Sequence, residues 1–171
     1  MLALNEAFSP LVADNARNWL DVWTLRELES SVRFKFSTRM FRTVGRCYPS
    51  KQLITLAAAV PEMSEYNVRS ILCHELAHLA AYELFGRHIK PHGREWQVLM
   101  RAAGFPPHVR FDDVEAIALL QARAPKRRRY VHRCPVCAAQ RISARRVPAW
   151  RCGACYEIGR DGVLEIIPLT I

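Results

Sequence analysis

Not one acidic residue occurs between Glu115 and Glu157, although the 171-residue chain carries 16 Asp and Glu in all. No window approaches the run of about eighteen apolar residues that a membrane-spanning helix requires, so a helical span is not expected. Internal repeats and long low-complexity segments are missing too, which argues against a solenoid or a disordered chain. The first ten residues hold Asn5 and Glu6, no basic cluster and no sustained apolar stretch. They do not resemble a secretory leader, and the expectation is a soluble, cytoplasmic protein. With half of the residues hydrophobic, the length suits one domain with a real core plus a small appendage.

The missing acids make the charge lopsided. Residues 1 to 122 hold fourteen basic and thirteen acidic residues, whereas residues 123 to 171 hold eleven and three, so nearly all of the net charge of +9 belongs to the last quarter. Lys126, Arg127, Arg128, Arg129, Arg133, Arg141, Arg145 and Arg146 are the candidate contacts for a polyanion, of which nucleic acid is the usual example. Two other readings are a solvated linker and a surface for an acidic protein partner.

What is present in the middle of the chain is chemical. Residues 74 to 78 read His-Glu-Leu-Ala-His. Positions i and i+4 share a helix face, so His74 and His78 can direct two imidazoles at one metal ion, with Glu75 beside them as a candidate general base. A hydrolytic zinc site keeps three protein ligands and an open position for water. His88, His92 and Glu95 are the candidates for the third ligand, and spacing alone does not choose among them. The extended pattern with glycine at 81 and histidine at 84 is absent, since those positions hold Ala81 and Leu84, and this excludes the metzincin class.

A second metal signature lies in the basic tail. Cys134 and Cys137 form one Cys-x-x-Cys pair, Cys152 and Cys155 another, with fourteen residues between Cys137 and Cys152. Two such pairs in turn-forming contexts suit a tetrahedral four-thiolate zinc ribbon better than a redox dithiol. Two zinc ions per chain are therefore expected. Cys73 is adjacent to His74 on the helix and points elsewhere, so it is read as a small buried side chain.

Around these motifs the periodicity predicts an α+β chain. One or two amphipathic helices are expected over residues 4 to 29, a half-buried strand at Val32 to Phe36, and another strand within Gln52 to Val60. The motif helix should run from a cap at Ser64 to a stop at Gly86, a further helix from near His92 to Gly104, and a short one from Asp112 to Ala122. Pro125 to Arg129 is a basic connector, and short strands should flank both cysteine turns. The predicted units are residues 1 to 124 and 125 to 171.

In combination these residues resemble the SprT-like zinc metalloprotease family. The resemblance rests on His74 to His78, on Phe85-Gly86-Arg87 ahead of Pro91-His92-Gly93-Arg94-Glu95-Trp96, on Arg42 to Cys47, and on the paired cysteines. It covers roughly Val32 to Cys155 and matches the compact bacterial-type form. It implies a zincin-like core of an N-terminal helix, a small antiparallel sheet, the motif helix and the helix after it, followed by a zinc ribbon. It also implies His92 as the third ligand, Glu75 as general base, and proteolysis of proteins bound or crosslinked to DNA, as in DNA–protein crosslink repair. A bacterial protein of this kind would be nucleoid-associated and monomeric. The competing reading is a nucleic-acid-binding ribbon whose His-Glu-x-x-His site is structural; an intact Glu75 favours the enzyme.

Overall fold

The computed structural model describes residues 1–125 and 128–169, and the chain divides into two compact units, Met1–Ala124 and Pro125–Ile171. The first unit opens with three helices: α1 (Leu4–Ala7), α2 (Pro10–Val22) and α3 (Leu28–Ser31). Pro10 occupies the first turn of α2, where its missing N–H costs no hydrogen bond. Val12, Ala13, Ala16, Trp19 and Leu20 form the inward stripe of that helix.

Three strands follow: β1 (Arg33–Ser37), β2 (Gly45–Tyr48) and β3 (Leu53–Ala57). Phe34 is fully buried while Lys35 faces out, the alternation the sequence implied. The sheet order is β1-β3-β2. β3 pairs parallel with β1, Phe34 opposite Ile54, and antiparallel with β2, Cys47 opposite Ile54. The sheet is mixed, which corrects the expectation of an antiparallel one. Ile54, Leu56 and Ala57 are wholly buried, so β3 is the strand that takes the central place. The connection between Ser37 and Gly45 is long enough to carry the chain past that place to the far edge before β3 fills it.

The motif helix α4 (Glu65–Phe85) matches its sequence signals closely. The Ser64 hydroxyl accepts the Asn67 N–H at 3.3 Å, and Gly86 ends the helix at φ 81°, a conformation favourable to glycine. Eleven of its residues are buried, among them Leu72, Leu76, Leu79 and Ala80, because α4 packs against α2, β2 and α5 (Arg94–Ala102). α5 ends in a paired cap: Phe105 N–H returns to the Met100 carbonyl and Gly104 N–H to that of Arg101. The last helix, α6 (Val114–Ala122), starts where Asp113 accepts the Ala116 N–H at 2.8 Å.

The second unit is a three-stranded antiparallel sheet of order β5-β4-β6, built from β4 (Arg129–Arg133), β5 (Gln140–Ser143) and β6 (Glu165–Leu169). Strands flank the first cysteine turn, as expected. The second pair departs from expectation: Cys155 sits in the short helix α7 (Gly153–Glu157) and Cys152 is its N-cap, with only the Arg151–Val163 bridge beside it. The buried cluster of this unit comprises Cys134, Cys152 and Cys155 with Leu164 against them. So small an apolar interior does not hold a fold without a staple. No helix among the described residues is long and apolar enough to cross a membrane.

Candidate active site and second metal centre

Two turns of α4 place His74 and His78 on one face, and the chain returns through His92 just ahead of α5. The three Nε2 atoms stand 3.2 Å (His74 and His78), 3.0 Å (His78 and His92) and 3.1 Å (His74 and His92) apart. A tetrahedral ion with nitrogen ligands at about 2.0–2.1 Å holds them about 3.3 Å apart, so the donor set fits zinc. His88 and Glu95, the other candidates for the third position, are not in this cluster; His88 instead accepts a hydrogen bond from Arg87 Nε. His92 was expected to open the second helix. It precedes it instead, at φ 59°, with Gly93 as N-cap. This left-handed turn is what swings the imidazole back toward α4, and Gln97 Nε2 donates to the His92 carbonyl at 3.1 Å to hold it.

The surroundings of all three rings favour the neutral form. Burial pushes His78 down to about 3 and His74 to about 4, with the mutual repulsion of the cluster adding to both, and burial also lowers His92. Neutral imidazoles are the form that ligates. Trp96, only 1% exposed, packs against every ring: its indole centroid lies 4.8 Å from His74, 5.5 Å from His78 and 4.7 Å from His92.

Glu75, 6% exposed, turns from the same helix toward β2. Alternation along the β2–β3 ladder, in which the Val44 carbonyl accepts the Ala57 N–H, directs the Gly45 and Cys47 peptide groups away from β3. Burial raises the Glu75 carboxyl to about 7, a rise opposed by the Cys47 N–H and the charge of Arg46. A carboxyl poised near neutrality can both take and return a proton. Gly45 is part of this recess: a Cβ there would meet Glu75 Oε1 at 2.4 Å. Gly45, Trp96 and Gln97 lie in or beside stretches that carry the family resemblance, yet periodicity attaches no role to them, because each acts through a contact distant in sequence.

In the second unit the four thiols of Cys134, Cys137, Cys152 and Cys155 converge, all within 4.8 Å, with Cys134 Sγ 3.6 Å from Cys155 Sγ and Cys137 Sγ 3.4 Å from Cys152 Sγ. Zinc–sulfur bonds of about 2.3 Å put tetrahedral sulfurs just under 4 Å apart, so this cluster also fits zinc. The Cys137 N–H draws the Cys134 thiol down to about 6, while burial and the neighbouring sulfurs drive Cys155 up to about 12. Four sulfurs this close need a cation before all can ionise.

Of the expected nucleic-acid contacts, Lys126 and Arg127 lie outside the described residues. Arg128, Arg129, Arg133, Arg141, Arg145 and Arg146 are exposed, and no salt bridge engages them among the described residues. Register divides them. Arg129 and Arg133 alternate onto one face of β4, whereas Arg141, opposite His132, lies on the other, its guanidinium 3.9 Å above the Trp150 ring.

The SprT-like family model matches residues 14–114, which embrace both histidines of α4, Glu75 and His92. Protein SprT of Pseudomonas fluorescens (strain SBW25) is 41% identical over 77 residues, and Protein SprT of Pseudomonas putida (strain GB-1) is 42% identical over 74 residues. Each match spans 43% of this chain and 42% of the relative's length. With a family model covering more than half of its residues, and all of the three-histidine centre among them, the chain belongs to the SprT-like family.

Proposed function

We propose that the chain is a zinc-dependent endopeptidase that associates with DNA and acts on proteins bound or crosslinked to it. The observation that carries this reading is the convergence of three imidazoles, His74 and His78 from α4 and His92 from the turn before α5, beside the buried carboxylate of Glu75, which α4 also carries. A structural four-ligand site would have no use for such a carboxylate.

His74, His78 and His92 would hold the ion. Zinc there supplies Lewis acidity toward the scissile carbonyl and makes an attacking water acidic near neutral pH. Glu75 accepts the proton of that water on a carboxylate oxygen and returns it to the leaving amine nitrogen. Its recess against Gly45 and the Cys47 N–H keeps the carboxylate oriented while it does so. The fold around this centre supports a zincin-like assignment, and the four thiols are the proposed seat of a second, structural zinc. Exposed arginines on the second unit, engaged by no salt bridge among the described residues, support nucleic acid as the partner.

The test is incubation of a DNA-binding protein with the wild-type chain and with Glu75→Gln, with and without DNA, followed by gel electrophoresis. Cleavage that requires Glu75 and is enhanced by DNA is the expected result. Equal cleavage by both proteins would remove Glu75 from the chemistry, and equal cleavage without DNA would remove DNA from the function.

A further inference from the structure

Each of the three imidazoles reaches the site from a different chain position, and one side chain touches all of them. The Trp96 indole lies nearly parallel to the His78 ring, at 23°, and edge-on to His74 and His92, at 66° and 83°. Its Nε1–H donates to the His74 backbone carbonyl at 3.2 Å, tying the first turn of α5 to the middle of α4 at the level of the site. The next residue, Gln97, holds the His92 carbonyl. Trp96 therefore stands behind the cluster as a rigid, neutral wall with one directed hydrogen bond.

We propose that Trp96 is a positioning residue that pre-organises His74, His78 and His92 for metal capture. The proposal rests on the reading of these histidines as a metal centre. A histidine side chain free to rotate loses that freedom when it ligates, and three of them lose it together. Packing the rings against a fixed indole takes that loss during folding instead of at binding. The indole also closes one side of the centre to water, which strengthens interactions of the ion with its ligands. A phenylalanine at this position keeps an aromatic body but lacks the N–H and part of the surface that reaches all three rings.

Chelator competition on the full chain tests this, with Trp23→Phe as a matched control. Trp23 is also buried, and its Nε1–H likewise donates to a helix carbonyl, that of Leu99 at 3.0 Å, yet none of the ring pairs formed by His74, His78 and His92 includes it. The expected result is that Trp96→Phe weakens zinc retention at the histidine site by about 10- to 100-fold, the usual effect of losing a ligand's outer support, while Trp23→Phe and the cysteine site hold their zinc unchanged. Equal retention in both variants would overturn the proposal. If wild type itself retains zinc only at the cysteines, the metal-centre reading fails first, which distinguishes the two failures. A second measurement needs no variant: in zinc-stripped wild type, the imidazole protons of all three histidines should show NMR ring-current shifts from the indole. Averaged, free-histidine shifts would show that the rings are not held.

Discussion

Gly45 and Glu75 share a space that admits no further atom: a Cβ on Gly45 would lie 2.4 Å from Oε1 and 2.8 Å from both Cγ and Cδ of the glutamate. Gly45 lies in β2 and no left-handed conformation requires glycine there, so alanine suits the backbone. The nearest clashes fall on the Glu75 side chain, methylene and carboxylate both, so the carboxylate must leave its place beside the Cys47 N–H. Gly45→Ala should therefore keep its fold and zinc while its kcat falls by at least about tenfold, part of the 10²–10⁴ that a positioned base contributes. Metal analysis, circular dichroism and peptide hydrolysis check this; full activity would show that Glu75 works from elsewhere.

Zinc stoichiometry separates the third-ligand candidates. Metal analysis of wild type should give two zinc ions per chain. His92→Ala should give one, whereas His88→Ala and Glu95→Gln should still give two. Loss of zinc from either of the latter would move the ligand set.

Chelation should act unequally on the two units. Among the described residues of 125–171 the buried hydrophobic cluster is only Cys134, Cys152 and Cys155 with Leu164 against them, beside the buried His132, whereas the first unit has a broad apolar core running from Leu4 to Leu120. A strong chelator should leave residues 1–124 resistant to protease and open the rest to digestion, since such small units fold with their metal. Fragment mapping by mass spectrometry reads the result, and a metal-free second unit that resists protease would deny zinc its structural part.

Replacing Arg128 and Arg129 with alanine should weaken DNA binding and lower the slope of log affinity against log salt by roughly two, about 0.9 for each lost phosphate contact. Fluorescence anisotropy with labelled DNA at several salt concentrations measures it. An unchanged slope would take these two arginines off the interface.

How far the sequence spoke depended on the range of the interaction. α4 was legible to the residue, because Ser64, Gly86 and the spacing of Ile71, Leu72 and Leu79 are local signals. The His74–His78 pair was legible for the same reason. β2 was not, since Gly-Arg-Cys-Tyr has no alternation to read and owes its strand to β3. Nor was the parallel pairing of β1 with β3, which depends on where a connection passes. His92 required the family resemblance: thirteen intervening residues do not disclose a left-handed backbone turn that aims a ring back at α4.

Eleven buried residues make α4 the centre of the first unit as well as the carrier of His74, Glu75 and His78. Amides from Leu72 to Ala81 thus have no shallow opening through which to exchange with deuterated solvent, and their protection should equal that of global unfolding. The candidate site cannot melt away by itself: whatever population of molecules is folded is also a population with the helix that carries His74, Glu75 and His78 intact.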